Sequence, residues 1–189
     1  MNKYIPCLND AMGRQLTLAD WEALAFPALA IDALSLLIWP RLSIPKNVEV
    51  LYWDTSIRPE HKVSKKHDYL YSPLDGSKIA ISPEILENIR TNVGANNIRL
   101  GECYSPLQSN QLIRDEKTII NIQDAQWKDA VEPISPTCSC YTCQQFTLAY
   151  LHHLYHAGVP LGARLCIVHN LAISYAMSNN NFLDNFLGE

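Results

Sequence analysis

The sequence has no apolar stretch long enough to cross a membrane as a helix. A span needs about 20 consecutive apolar residues, whereas the most apolar segment, 23–39, is broken by Pro27 and Asp32 and followed by Pro40. The N-terminus also lacks the charged and then apolar layout of a secretory signal peptide. We therefore expect a cytoplasmic protein, in which clustered cysteines serve metal binding or chemistry rather than disulfide formation.

Charge is also sparse, and it is distributed unevenly. Charged residues make up 18% of the 189 residues, and the net charge of −4 argues against a protein that wraps nucleic acid over its whole surface. Basic residues concentrate in one segment, which contains Arg58, Lys62, Lys65, Lys66 and Lys78. Within it, a basic run such as Lys62–Lys66 is more often a solvated loop than a nucleic-acid patch. From Cys138 to the end of the sequence, Arg164 is the only arginine or lysine.

The remaining composition is that of a folded domain with a core. Apolar residues make up 48% of the chain, enough for one domain or one domain with a small module. β-Branched and aromatic segments predict strands over 48–53, 69–72, 78–81, 98–100 and 119–122. Helical spacing and capping residues predict helices over 18–26, 82–94, 144–157 and 161–177, and a buried helix or helix–strand segment over 28–39.

Three cysteines lie within six positions, and a histidine follows after twenty-five further residues. They are Cys138, Cys140, Cys143 and His169. Zn²⁺ prefers four nitrogen or sulfur ligands in a tetrahedron, and a tight turn can supply three sulfurs while a helix returns the imidazole. The pattern predicts one closed, structural zinc site. The alternatives are buried thiols with a core histidine, or a redox pair of Cys140 and Cys143, which leaves the other two residues unexplained.

Other chemically reactive side chains have simpler interpretations. We expect Cys7, Cys103 and Cys166 to be ordinary thiols, and Asp75 to have a structural role in the turn before Gly76. In the run of histidines on the helix over 144–157, we expect His153 to be packed, and His152 or His156 to be solvated.

The metal-ligand pattern is embedded in longer motifs. These are Cys138-Ser-Cys-Tyr-Thr-Cys143, Ala149-Tyr-Leu-His-His-Leu154, Leu161-Gly-Ala163 and His169-Asn-Leu171, with Ser72-Pro-Leu-Asp-Gly-Ser-Lys78 and Ser82-Pro-Glu84 further upstream. Over about residues 70–178 they resemble the queuine/archaeosine tRNA-guanine transglycosylase family, in which such cysteines and a histidine hold zinc on a (β/α)₈ barrel. The resemblance implies an α/β protein with a reduced or partial tRNA-guanine transglycosylase-like (β/α) barrel and a small zinc-binding subdomain.

The resemblance also predicts a division of the chain. Residues 1–60 form an unmatched N-terminal segment packed on the scaffold, and residues 61–135 a partial α/β scaffold. Residues 136–178 form a zinc-binding helical subdomain, and residues 179–189 a tail. Family enzymes are about twice as long as this chain, so the resemblance implies that the middle of the barrel is missing.

The catalytic residues of the family have no clear counterparts. Its enzymes use one aspartate as the nucleophile at ribose C1′ and another as general acid and base. Only the segment Gly101-Glu102-Cys103-Tyr104-Ser105-Pro106 can supply an equivalent, with Gly101 in place of the catalytic aspartate or Glu102 in place of the nucleophile. Misplacing an attacking atom by about 1 Å can cost about a hundredfold in rate. The sequence also has no Gly-Gly pair, which the family presents to the base.

Three hypotheses follow. The motif Glu102-x-x-x-Pro106-x-Gln108, together with Cys-Ser-Cys-Tyr, is similar to the non-catalytic accessory subunit of the eukaryotic enzyme, which implies an accessory or RNA-binding role in queuosine-type tRNA modification. The second hypothesis is an active base-exchange glycosyltransferase with Glu102 as nucleophile. The third is a zinc-stabilised protein-interaction module without a tRNA function. The expected partners are tRNA, a full-length family subunit or a second copy of the chain, and no membrane.

Overall fold

The computed structural model of the chain describes residues 4–58, 60–98 and 109–179. The chain divides into two compact units. The N-terminal unit consists of Ile5–Arg14 and Trp21–Tyr104, and the C-terminal unit consists of Met1–Tyr4, Gln15–Asp20 and Ser105–Glu189. None of the described helices combines the length and the apolar character that a membrane span requires. The fourfold division into 1–60, 61–135, 136–178 and 179–189 stays a prediction.

The N-terminal unit is built on a parallel three-stranded sheet. Its strands are β1 (Ala28–Asp32), β2 (Val50–Asp54) and β5 (Asn97–Ile98), in the order β1-β2-β5. The register places Asp32 beside Asp54 at the carboxyl ends of β1 and β2. The segment over 28–39 is therefore a strand followed directly by α2 (Ala33–Ile38), because the Asp32 carboxylate accepts hydrogen bonds from the first free N–H groups of that helix.

Two further helices in the N-terminal half follow the predicted capping signals. Helix α1 covers Leu18–Leu24, and helix α3 covers Pro83–Val93. The Ser82 hydroxyl caps α3 by accepting from the Ile85 N–H group, and Gly94 ends the helix in the left-handed conformation with φ of 71°. A side chain at Gly94 would be strained in that conformation.

A small antiparallel hairpin also belongs to the N-terminal unit. Its strands, β3 (Tyr69–Tyr71) and β4 (Lys78–Ala80), pair Leu70 with Ile79, and Val63 forms an additional bridge to Leu70. Leu70 is fully buried against Leu34 and Ile38 of α2, with Val63 and Ile79 partly buried beside them. One face of the hairpin therefore packs into the core of the unit.

The C-terminal unit combines a second hairpin with three helices. The hairpin consists of β6 (Gln111–Asp115) and β7 (Thr118–Asn121), and the helices are α4 (Tyr141–Gln145), α5 (Leu148–His156) and α6 (Pro160–Asn179). Sequence patterning identified β7 but missed β6, whose sequence ends in the charged pair Arg114-Asp115. The core of this unit consists of Leu112, Ile120, Ile122, Ile134, Leu148, Leu151, Leu154, Leu165 and Cys166.

The prediction of one continuous helix over 144–157 is wrong. Phe146 is extended, with φ of −132° and ψ of 145°, and it separates α4 from α5. Thr147 then starts α5 by accepting a hydrogen bond from the Tyr150 N–H group. The helical spacing in this segment reflects two short helices, and the break leaves α4 as a short turn that can carry ligands.

The α/β class is confirmed by these elements. Over the described ranges, one sheet has three strands and the other two have two strands each, and none of them closes into a barrel.

Candidate metal centre

The four predicted metal ligands come together in the C-terminal unit. Cys138 lies in the loop before α4, Cys140 is the N-cap of that helix, Cys143 lies within it, and His169 lies on α6. Their ligand atoms all lie within 4.8 Å of one another. The three cysteines are partly buried and His169 is completely buried. The group can therefore hold one metal ion.

The short helix α4 explains why the three sulfurs converge. Cys140 is extended, and its Sγ atom accepts a hydrogen bond of 3.4 Å from the Cys143 N–H group. One helical turn then brings Cys143 back to the same side as Cys140. The buried Thr142 hydroxyl donates to the Leu165 carbonyl at 2.8 Å and so holds α4 against α6.

A backbone carbonyl fixes the orientation of the imidazole. The His169 Nε2–H group donates to the Ile113 carbonyl of β6 at 2.7 Å, which leaves Nδ1 facing the sulfurs. Nδ1 lies 3.2 Å from the Cys143 Sγ and 3.7 Å from the Cys140 Sγ. In a ZnS₃N tetrahedron with ordinary bond lengths, the sulfur–nitrogen edge is about 3.6 Å. The side chains therefore fit a zinc ion.

The next residue adds a second connection to the same strand. The Asn170 side-chain oxygen accepts from the Ile113 N–H group at 3.2 Å, and its amide nitrogen donates to the Gln111 carbonyl at 2.7 Å. His169 and Asn170 together supply three hydrogen bonds to β6. Sequence patterning did not indicate this role for Asn170, since β6 was not predicted.

The electrostatics of the cluster favour a positive charge at its centre. Hydrogen bonds with Cys140 and Cys143 lower the pKa of Cys138, while hydrogen bonds with Cys138 and Cys140 raise the pKa of Cys143. Burial opposes a charged imidazole, but hydrogen bonds with Cys138 and Cys140 outweigh it and raise the pKa of His169 to about 9. A divalent cation would supply that charge and release the thiol protons.

The other candidate residues do not join this cluster. Cys7 and Cys166 are buried, and burial raises the pKa of the Cys166 thiol to about 12, which makes it unreactive. His153, which we expected to be packed, is exposed, whereas His152 is partly buried. Asp75 accepts from the Ser77 N–H group at 3.0 Å, as a turn residue does. Gly101, Glu102 and Cys103 lie outside the described residues.

The N-terminal unit contains a buried ionic network that sequence reasoning missed. The fully buried Asp32 accepts from the Ser35 hydroxyl at 2.7 Å, from His61 Nε2 at 2.9 Å and from Arg58. Arg58 also donates to Asp54 at 2.8 Å, so one guanidinium connects the carboxyl ends of β1 and β2. One weak sequence signal for it is the acidic Asp54 directly after the predicted strand over 48–53.

This network is a poor metal site although its ligand atoms are close. Oxygen or nitrogen atoms of Asp32, Glu60 and His61 lie within 4.8 Å of one another. However, His61 Nδ1 accepts from the backbone N–H group of Arg58 at 3.1 Å, so Nε2 carries the proton and donates to Asp32. The Arg58 guanidinium on Asp32 would also repel a cation. The arrangement is that of a buried ion-pair network.

Fold and site together describe an α/β protein whose C-terminal unit contains a Cys₃His cluster that can hold a metal ion. Residues 101–180, which include all four candidate ligands, match the model of the family described as queuine tRNA-ribosyltransferase. The chain is thus related to the queuine/archaeosine tRNA-guanine transglycosylase family, and the resemblance read from the sequence is confirmed.

Individual relatives support the relationship. The chain is 51% identical over 90 residues to the queuine tRNA-ribosyltransferase of Mannheimia succiniciproducens, and this alignment covers 47% of the chain and 22% of the relative. It is 39% identical over 79 residues to the queuine tRNA-ribosyltransferase of Chromobacterium violaceum, an alignment that covers 41% of the chain and 21% of the relative. It is 31% identical over 160 residues to that of Neisseria gonorrhoeae, covering 84% and 38%. This last alignment extends into residues 1–60, and in each case the chain spans well under half of the relative.

Proposed function

We propose that the chain is a tRNA-guanine transglycosylase-like protein linked to queuosine-type tRNA modification in the cytoplasm. The observation that carries the proposal is the match over residues 101–180, which contains the whole Cys₃His cluster. The parallel strands β1, β2 and β5, with α2 directly after β1 and α3 before β5, support a scaffold derived from part of a (β/α) barrel. The partners of the proposed function are tRNA and a full-length family subunit or a second copy of the chain.

Within this function, Cys138, Cys140, Cys143 and His169 hold one structural Zn²⁺. Four protein ligands close the coordination sphere, so a water molecule has no position at which to be activated. When bound, the ion crosslinks α4, α6 and the loop before α4. His169 passes this constraint to β6 through the Ile113 carbonyl, and Asn170 reinforces it. The site therefore stabilises the C-terminal unit.

In this proposed role, the chain lacks a complete catalytic site and does not exchange bases by itself. By the motif resemblance, either Gly101 stands in place of the catalytic aspartate or Glu102 in place of the nucleophile, and neither is an aspartate. A glycine supplies no carboxylate, and a glutamate moves it by about one methylene group. The chain then acts as an accessory or RNA-binding subunit, and base exchange depends on a complete family enzyme.

An exchange assay tests the proposal. The purified, zinc-loaded chain is incubated with tRNA and labelled guanine, both alone and with a full-length queuine tRNA-ribosyltransferase. We expect no exchange by the chain alone, together with salt-sensitive binding to tRNA or binding to the enzyme. The variants Glu102→Gln and, as a matched control, the exposed Glu116→Gln are compared with the wild type.

Two results would replace the proposal. Exchange by the isolated chain that is lost in Glu102→Gln but retained in Glu116→Gln would identify an active glycosyltransferase with Glu102 as nucleophile. If the chain bound neither tRNA nor the enzyme, it would instead be a zinc-stabilised protein-interaction module.

A further inference from the structure

The hairpin of the N-terminal unit is extended on one side by a third segment of the chain. Residues 62–64 run beside β3, because the Ser64 N–H group donates to the Tyr69 carbonyl at 2.9 Å and the Tyr71 N–H group donates to the Lys62 carbonyl at 2.8 Å. On its other side, β3 pairs with β4. The order across the hairpin is therefore 62–64, β3 and β4.

Alternation along these segments separates a core face from a solvent face. Val63, Leu70 and Ile79 pack in the apolar cluster around α2. Successive side chains of a strand point to opposite faces, so Lys62, Tyr71 and Lys78 lie together on the other face. Tyr71 is opposite Lys62 on one side and opposite Lys78 on the other. The three residues thus form one cross-strand row of lysine, tyrosine and lysine.

This row is accessible, and its aromatic ring is held in place. Lys62 and Lys78 are exposed, and Tyr71 is 37% exposed. The Tyr69 and Tyr71 rings meet edge to face with centroids 5.2 Å apart, and their hydroxyl oxygens lie 3.2 Å apart. The Lys78 ammonium lies 4.7 Å from the centroid of the Tyr69 ring. We call Lys62, Tyr69, Tyr71 and Lys78 the hairpin face.

The charge around the hairpin face is positive. Residues 62–78 contain four lysines and two aspartates, and the remaining lysines, at 65 and 66, are exposed in the adjoining turn. Both aspartates are engaged within turns: Asp68 accepts from the Ser64 hydroxyl at 2.6 Å and Asp75 from the Ser77 N–H group. The lysines outnumber the aspartates by two, so the segment over 62–78 has a net positive charge.

We propose that the hairpin face binds a single-stranded segment of RNA. A base stacks on the Tyr71 ring, and Lys62 and Lys78 contact the phosphates on either side of it. Exposed aromatic rings on a sheet, flanked by cations, bind single strands in this way because every base has a stacking face and every linkage a negative charge. The choice of RNA rather than DNA rests on the proposed function, whereas the stacking geometry does not.

Fluorescence anisotropy with a labelled, unstructured RNA of about ten nucleotides tests the proposal, since single-strand-binding OB folds cover roughly 4–16 nucleotides each. The zinc-loaded full chain is compared with Tyr71→Ala, Tyr71→Phe and the double variant Lys62→Ala/Lys78→Ala. The exposed lysines of Lys46→Ala/Lys117→Ala provide a control with the same change of charge. Circular dichroism confirms that each variant remains folded.

We expect Tyr71→Ala to weaken binding about tenfold, since stacking on one base is worth about 1–3 kcal/mol and 1.4 kcal/mol corresponds to tenfold. Tyr71→Phe keeps the ring and should stay within about twofold. The Lys62→Ala/Lys78→Ala variant should reduce the slope of log affinity against log salt by about 1.4, because each phosphate contact on a single strand contributes about 0.7. The control pair should leave the slope nearly unchanged.

Unchanged affinity in Tyr71→Ala would overturn the proposal. So would equal losses in the two lysine pairs, which would indicate attraction by overall charge. Heparin in place of RNA supplies a polyanion without bases, so heparin binding that depends on Tyr71 as strongly as RNA binding would also overturn it. If Tyr71→Ala binds the short RNA, tRNA and a family enzyme as well as the wild type does, the hairpin face is not a binding surface and the proposed function stands. If wild-type chain binds the short RNA through Tyr71 but neither tRNA nor a family enzyme, the hairpin face stands and the proposed function fails.

Discussion

Replacing His169 by alanine tests whether the cluster holds a metal or is only part of the core. The imidazole is completely buried, and its two nitrogens have different partners: Nε2–H donates to the Ile113 carbonyl and Nδ1 faces the sulfurs. Alanine removes both contacts. The matched control is Asn170→Ala on the next position of α6, which removes hydrogen bonds to the same strand but no metal ligand.

The structure sets the expected size of the effect on metal-free protein. His169→Ala leaves the buried Ile113 carbonyl without its donor, at a cost of about 1–3 kcal/mol, and leaves a cavity that adds about 2 kcal/mol. Since 1 kcal/mol shifts the melting temperature of a protein of this size by about 2–4 °C, we expect a loss of roughly 6–20 °C. Asn170→Ala orphans groups on the same strand, so its loss should be similar.

The metal then separates the two variants. We expect about one zinc per chain, measured by elemental analysis, in the wild type and in Asn170→Ala, and less than half of that in His169→Ala. A chelator should lower the melting temperature of the wild type and of Asn170→Ala, and it should have little effect on His169→Ala. If His169→Ala retained a full equivalent of zinc, or if chelation left the wild type unchanged, the metal centre would be disproved.

Further predictions concern the buried ionic network and the reactivity of the thiols. Asp32→Asn should lower the free energy of unfolding, measured by chemical denaturation, by about 3–5 kcal/mol because it leaves the buried Arg58 charge without one of its carboxylate partners. The control, Glu87→Gln, removes an exposed ion pair with Arg90 and should change that free energy little. Burial alone would raise the pKa of Asp32, but hydrogen bonding to His61 and the Arg58 charge outweigh it and hold that pKa below its usual value. Ionised Asp32 therefore stabilises the folded protein above about pH 4, and this stabilisation is lost as the pH falls further. In an acid titration, the free energy of unfolding of the wild type should fall over this range, and that of Asp32→Asn should not show this component. In chelated protein at pH 8, iodoacetamide should modify Cys138, whose pKa is lowered by hydrogen bonds with Cys140 and Cys143, before Cys166, whose burial raises its pKa to about 12. Peptide mapping by mass spectrometry would contradict this if Cys166 reacted equally fast.

The helix boundaries show which part of the fold the sequence could predict. The α3 helix was predicted at both ends because Ser82, Pro83 and Gly94 act on their own neighbours, through one side-chain cap, one fixed φ angle and one left-handed residue. The break at Phe146 was not predicted, although Thr147 is a suitable cap. Phe146 fits the apolar spacing of the helix on either side, but its backbone is extended and its side chain packs against the core of the C-terminal unit.

The same distinction applies to the two clusters of polar side chains. Three of the four metal ligands lie within six positions, so local spacing was sufficient to group them, and the preference of zinc for a fourth nitrogen or sulfur ligand pointed to the later His169. The ionic network draws Asp32, Asp54, Arg58 and His61 from different elements. Its assembly depends on the parallel register that sets Asp32 beside Asp54, and nothing in the spacing of the sequence reveals that register.

The hairpin face gives the basic segment a structure that its composition did not predict. The sequence favours a solvated loop for the basic run Lys62–Lys66, beside strands predicted over 69–72 and 78–81. In the folded unit the bridge between Val63 and Leu70 aligns residues 62–64 with β3, and this pairing turns Lys62 and Lys78 to the same side as Tyr71. Arg164, the one arginine or lysine from Cys138 onward, is instead engaged with Asp20 at 2.7 Å. Because Arg164 is already neutralised while the ammonium groups of the hairpin are exposed, the lysine pair of the hairpin should contribute more to the salt dependence of RNA binding than Arg164 does.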